Sequence, residues 1–178
     1  VTIEPDNPPS TSPAVAELFR LVSAPGALDG KQRETAANEV MDRLFDWRTM
    51  ARHSLRQYWD ERTPAERDDF TQLFAEVFRK AYLARINLVD ASKFRYLGDR
   101  ITGDRATVDT QVTTKRGSTI NVAYLTAKAG ASDWRVEDVR VEGISLLDNN
   151  RTQFATIIGR SSYEALVKRL RDRLKERG

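Results

Sequence analysis

His53 is the only histidine in 178 residues, and there is no cysteine. Cysteine-based zinc sites, iron–sulfur clusters, disulfides and thiolate nucleophiles are therefore excluded. A single imidazole allows one general base at most and no multi-histidine metal site. A Ser-His-Asp arrangement would need His53, but the chain has no G-x-S-x-G, and Gly143-Ile144-Ser145-Leu146 does not match that nucleophile elbow. His53 reads more simply as a polar residue on a helix. Asp109, Asp138 and Glu142 fall on or beside predicted strands. A cupped sheet can present such a carboxylate as an acid–base group inside a pocket. The plainer reading is acids that face solvent and alternate with apolar residues. The nine glycines are scattered at turns, with neither G-x-G-x-x-G nor G-x-x-x-x-G-K to cradle a phosphate.

Charge narrows the partners. The formal net charge is +3. From Ala165 to Gly178 six bases (Lys168, Arg169, Arg171, Arg173, Lys175, Arg177) accompany two acids (Asp172, Glu176), a net of +4 that leaves the rest at −1. A neutral body is not a nucleic-acid surface, so no nucleic-acid partner is expected. The basic end reads as a solvated helix face whose late cations suit the helix dipole, or as a docking face for an acidic partner or anionic headgroups. No stretch approaches the ~18 apolar residues of a membrane-spanning helix. With 40% hydrophobic residues the chain can still build a sizeable core.

These groups need elements to hold them. Residues 1–12 are rich in proline and small polar residues and are predicted to form a flexible arm. The remainder, 13–178, is predicted to be a single domain. Ser12-Pro13 starts a helix whose stripe is Val15, Leu18, Phe19 and Val22, and Pro25-Gly26 stops it. A second helix is predicted from about Gln32 to Phe45, with Ala37, Val40, Met41, Leu44 and Phe45 on one face. Asp46 caps a third, from Trp47 to about Tyr58. Thr63-Pro64-Ala65-Glu66 is a capping box that opens a fourth. Its apolar face is wide: Phe70, Leu73, Phe74, Val77, Phe78, Ala81, Tyr82 and Ile86. The helical part spans about 13–90.

The period then changes from 3.6 to 2. Lys93 to Leu97 alternates. Ala106, Val108, Thr110 and Val112 share one strand face, Arg116-Gly117 makes a hairpin turn, and Ile120, Val122 and Tyr124 share a face of the next strand. In the last strand Trp134 and Val136 are in even phase, Val139 and Val141 in odd phase. A β-bulge near Glu137-Asp138 would restore all four to one face and curve the sheet. The sheet spans about 93–145. Two helices close the chain over about 148–176, the first marked by Phe154, Ile157 and Ile158, the second capped by Ser161 with Glu164. The fold class is α+β: a curved antiparallel sheet of about four strands, an N-terminal helical part and two C-terminal helices.

The apolar excess is the most informative feature. Candidates to line a cavity between helices and sheet are Phe45, Met50, Phe70, Phe74, Phe78, Tyr82, Val108, Val112, Ile120, Val122, Tyr124, Val136, Val139, Val141, Phe154 and Ile157. Periodicity alone also admits a filled core, and so three readings stand. They are a carrier with a hollow core, a small acid–base enzyme using Asp109, Asp138 or His53, and a ligand-free module that binds a partner through its basic last helix.

The residues also resemble a known family. Phe45-Asp46-Trp47, Met50-Ala51-Arg52, Leu55, Trp59 and Thr63-Pro64-Ala65-Glu66-Arg67, with Phe70, Phe74 and Tyr82, look like the first half of the MlaC (toluene-tolerance auxiliary) family. The second half is similar over Trp134-Arg135-Val136-Glu137-Asp138-Val139, Val141-Glu142-Gly143-Ile144-Ser145-Leu146, Asn149, Arg151, Gln153 and Phe154, and again at Leu166-Val167-Lys168-Arg169-Leu170. The likeness runs from about Ala14 to Leu174. Two positions depart from it. Arg56 stands where the family usually has glycine, and Asn150 where it usually has an aromatic.

The resemblance implies a sheet of the nuclear-transport-factor-like type. It also implies a monomeric, non-enzymatic periplasmic carrier, exported with a cleaved signal peptide that is absent from this chain. Such a carrier takes phospholipid as cargo, needs no cofactor or metal, and passes lipid between an outer-membrane lipoprotein complex and an inner-membrane ABC transporter with its MCE-domain component. The physics suits the role. At about 0.8 kcal/mol per buried methylene, two chains of ~15 methylenes cost roughly 24 kcal/mol to expose to water. An apolar cavity meets that need without covalent chemistry.

Overall fold

A computed structural model describes residues 30–130 and 133–176, with the side chains of 91 and 92 excepted. The predicted arm and the first predicted helix lie outside the described residues. Helix α1 (Gly30–Leu44) buries Ala37, Val40, Met41 and Leu44, as the stripe predicts. Asp46 then caps α2 (Trp47–Leu55), its carboxylate accepting from the Thr49 backbone N–H at 3.1 Å and from the Thr49 hydroxyl at 2.9 Å.

Helix α2 is shorter than predicted. It stops at Arg56, whose φ of 51° and ψ of −121° break the path toward Tyr58, and a single turn, α3 (Gln57–Asp60), follows. The Cβ of an L-residue is crowded in that conformation, which glycine adopts freely, and holding another residue there costs about 1–3 kcal/mol. Arg56→Gly is therefore expected to raise the free energy of unfolding by about 1 kcal/mol, and with it the denaturation midpoint, net of the extra entropy of glycine in the unfolded chain. A lower midpoint in the variant would show that Arg56 carries no strain.

The capping box at the head of α4 (Pro64–Ile86) is formed. The Thr63 N–H donates to Glu66 Oε1 at 3.1 Å, and the Glu66 N–H donates to Thr63 Oγ1 at 3.2 Å. Helix α4 buries Phe70, Leu73, Phe74, Ala75, Phe78, Tyr82 and Ile86. Its aromatic face is continuous: Phe78 stacks on Tyr82 at 5.9 Å, and Phe45 meets Phe78 at 5.5 Å.

The sheet has five strands in the order β1–β2–β3–β4–β5, all antiparallel neighbours: β1 (Val89–Thr102), β2 (Arg105–Thr114), β3 (Thr119–Lys128), β4 (Trp134–Val141) and β5 (Ile144–Ser145). Two points correct the sequence reading. Strand β1 extends well beyond Lys93–Leu97 at both ends, because register shifts between Asp90 and Arg95 and between Tyr96 and Gly98 interrupt its alternation. Strand β5 is too short to leave a period-2 signal.

The predicted bulge is present. Leu125 pairs with Asp138 and Thr126 with Val136, which leaves Glu137 as the extra residue. Val136 and Val139 are consequently both fully buried on the inner face. The bulge is also where the helical part joins the sheet. Phe45 bridges to Val136, and the Asp46 N–H donates to the Val136 carbonyl at 2.9 Å.

Helix α5 (Leu146–Arg160) starts at Ser145, whose Oγ accepts from the Asp148 N–H at 3.1 Å. Helix α6 (Tyr163–Lys175) starts at Ser162, not Ser161: the Ala165 N–H donates to Ser162 Oγ at 3.0 Å, while Ser161 ends α5. Adjacent serines offer two possible caps, and the end of α5 selects the second. Helix α6 buries Leu166 and Leu170, packs against α4, and leaves Lys168, Arg169, Arg171 and Lys175 exposed. No helix among the described residues is long and apolar enough to cross a membrane.

Candidate functional site

The inner sheet face opens a void rather than closing fully on the helices. A cavity of about 410 Å³ lies between the C-terminal end of α4 and strands β2, β3 and β4. Strands β2 and β3 supply Val112, Thr114, Ile120, Val122 and Tyr124. The end of α4 and the start of β1 supply Tyr82, Arg85, Ile86, Leu88 and Val89, and the β4–β5–α5 corner supplies Val141, Ile144 and Leu146. Apart from Arg85 and Thr114 the lining is aliphatic or aromatic. Leu88 and Ile144 are 64% and 65% exposed, so the void has an apolar rim.

The phenols of Tyr82 and Tyr124 are hydrogen-bonded to each other among these residues. Both are buried, and burial pushes both ionisations up, with the neighbouring Tyr124 adding to the effect on Tyr82. Both phenols therefore stay neutral, one donating and the other accepting, so each oxygen has a hydrogen-bond partner within the cavity wall.

A second, smaller cavity of about 250 Å³ adjoins the first between α4, α5 and α6 and shares Tyr82, Arg85 and Leu146 with it. Its lining is mixed: Phe74, Phe78, Phe154 and Leu170 are apolar, and Asn149, Asn150, Gln153 and Arg173 are polar.

Of the sixteen cavity candidates read from the sequence, Tyr82, Val112, Ile120, Val122, Tyr124 and Val141 line the larger void. Phe74, Phe78 and Phe154 line the smaller one, as Tyr82 also does. Phe45, Met50, Phe70, Val108, Val136 and Val139 are buried in the packed core, and Ile157 packs half-buried against it. Sequence reasoning did not single out Arg85, Leu88, Val89, Thr114, Ile144 or Leu146 as lining residues. The Gly143-Ile144-Ser145-Leu146 segment held a usable signal: two apolar residues flanking a helix cap, directly after a strand.

The titratable candidates lie elsewhere. His53 is exposed on α2. Asp109 is half-buried opposite Arg100, at 3.5 Å. Glu142 accepts the Asn121 N–H at 2.6 Å. Asp138 accepts from the Val139 N–H at 2.8 Å, the Ser145 hydroxyl at 2.6 Å and the Leu147 N–H at 3.4 Å. That carboxylate ties β4, β5 and the first turn of α5 into one corner. None of the four lines the apolar cavity. Among the described residues no three acids or histidines cluster closely enough to hold a metal ion.

The sequence profile of the family described as "MlaC protein" matches residues 13–172. This chain belongs to the MlaC family. No curated protein sequence matches it. Among solved structures, a phospholipid-binding protein from Ralstonia solanacearum, determined in complex with a phospholipid, is similar at a TM-score of 0.75 and 18% identity, over 92% of this chain and 94% of that one. The MlaC fold, with a curved antiparallel sheet between N-terminal and C-terminal helices, is thus shared at low identity. MlaC membership points to a binding protein rather than an enzyme.

Proposed function

We propose that this chain is a phospholipid carrier of the periplasm, holding acyl chain in the apolar cavity between α4 and the sheet. The observation that carries the reading is that cavity: about 410 Å³, lined almost wholly by apolar side chains, and open at a rim formed by Leu88 and Ile144. At about 27 Å³ per close-packed methylene, such a volume takes roughly fifteen methylenes, the length of one acyl chain. Burying them stabilises the complex by about 12 kcal/mol before ordering costs are subtracted. Family membership and the phospholipid-bound Ralstonia relative support the same reading.

In the cell the helices and sheet act as one carrier domain. It receives lipid from one membrane complex and yields it to another, an outer-membrane lipoprotein complex and an inner-membrane ABC transporter with an MCE-domain component. Release follows from the exposed apolar rim: a partner that covers Leu88 and Ile144 offers the chain a dry path out.

Organic extraction of the purified chain followed by mass spectrometry tests the reading. Diacyl phospholipid in near-stoichiometric amount is the expected result. Protein that elutes lipid-free, and stays so after incubation with phospholipid vesicles, would overturn it.

A further inference from the structure

The two cavities share a wall at Arg85, and no aspartate or glutamate lines either of them. Arg173, on α6, lines the smaller cavity. Among the described residues no hydrogen bond or ion pair engages either guanidinium. Other cations on α4 are used. Arg79 pairs with Asp42 at 2.6 Å, and the Lys80 ammonium donates to the carbonyls of Arg173 at 2.9 Å and Leu174 at 3.3 Å, and to that of Glu176. The Lys80 contacts pin the end of α6 to α4 and so hold the Arg173 backbone beside the cavity.

Two unpaired guanidiniums, three carboxamides (Asn149, Asn150, Gln153) and no counter-charge adjoin an apolar slot. That combination calls for a ligand with an anionic, oxygen-rich end joined to an apolar tail. Guanidinium forks match the paired non-bridging oxygens of a phosphate, and carboxamide N–H groups can donate to the remaining lone pairs.

We infer that the smaller cavity between α4, α5 and α6 is the seat of the lipid phosphate, held by Arg85 and Arg173, while the tail occupies the larger cavity across the shared Arg85 wall. This rests on the lipid-carrier reading and adds an orientation, two anchoring residues and a ligand class, anionic glycerophospholipid, to it.

The test uses the full chain stripped of lipid. It is incubated separately with dioleoyl phosphatidylglycerol vesicles and with dispersed dioleoylglycerol, which has the same tails without the phosphate. Retained lipid is then quantified by mass spectrometry after repurification. The double variant Arg85→Ala/Arg173→Ala is expected to retain about ten- to hundredfold less phosphatidylglycerol, the range for losing charged hydrogen bonds, with a far smaller change, about twofold at most, in dioleoylglycerol, whose tails meet only the Arg85 stem. Arg85→Lys/Arg173→Lys should restore most of the phosphatidylglycerol. Both guanidinium residues are exposed, so the double variants are expected to fold, which their circular dichroism melts check. Equal loss of both lipids, or no loss of phosphatidylglycerol, overturns the phosphate seat while leaving the carrier reading standing. A wild-type chain that retains neither lipid removes both readings. Calorimetry with inorganic phosphate separates the two sources of phosphate: no saturable binding is expected, and saturable binding lost in the double alanine variant would reassign the seat to free phosphate.

Discussion

Val122→Trp is expected to cut phospholipid retention by roughly fiftyfold while leaving the chain folded. Val122 is a buried β3 residue whose side chain lines the 410 Å³ cavity. Tryptophan adds about 90 Å³ to that wall, the room of roughly three methylenes. At about 0.8 kcal/mol each the ligand loses about 2.4 kcal/mol, which is the fiftyfold effect. The fold is spared because the new ring enters a void and displaces no packed atom. Val108→Trp is the matched control. Val108 pairs directly with Tyr124 across β2 and β3, is fully buried, and lines neither cavity. There the ring has no space, and overpacking of this kind costs about 1–3 kcal/mol of stability or more. The two variants thus separate blocked cavity from damaged core. Full lipid retention by folded Val122→Trp would mean that the tail lies elsewhere.

Asp138→Ala is expected to destabilise the chain by about 2–4 kcal/mol, measured by urea denaturation. The carboxylate accepts three hydrogen bonds, from the Val139 N–H, the Ser145 hydroxyl and the Leu147 N–H. Two of these donors belong to the β5–α5 junction, and Ser145 is itself the cap of α5. Removing the carboxylate frees the Ser145 hydroxyl from its fixed orientation and leaves the first-turn Leu147 N–H without a charged acceptor. Ile144 and Leu146, on either side of that serine, line the larger cavity, so the corner that loosens is also part of the lipid site. Asp138→Asn keeps a side-chain acceptor and should lose less than half as much. A variant Asp138→Ala with unchanged denaturation midpoint would contradict the structural role and restore Asp138 as a candidate for chemistry.

Much of the fold was legible because its signals are local. Thr63 to Glu66 is a complete capping box in four consecutive residues, and the helix it starts follows from it. The phase slip between Val136 and Val139 can satisfy a one-sided core only through an extra residue, and Glu137 is that residue. The misreadings came from places where local signals are ambiguous or faint. Ser161 and Ser162 are equivalent caps in the sequence, and the end of α5 chooses between them. Nothing in the composition of Leu55-Arg56-Gln57 announces a helix break, because Arg56 is a good helix former held in a glycine conformation. Arg85 was invisible as a site residue: an arginine in the last turn of an amphipathic helix reads as a response to the helix dipole.

Taken alone, the order of the longer elements, the side each apolar residue faces, the bulge in β4 and the absence of cysteine chemistry follow from the sequence, since each depends on residues within a few positions of one another. The division of inward-facing residues into packed core and cavity wall does not. Val108 and Val122 are both buried on the inward phase of adjacent strands, yet one lies in the packed core and the other borders the void. Periodicity states which way a side chain points. Whether anything meets it depends on the distance between layers, which residues far apart in the chain decide together. The meeting of Arg85 and Arg173 on one cavity is of the same kind: residues far apart in the chain are brought together only when α6 docks on α4.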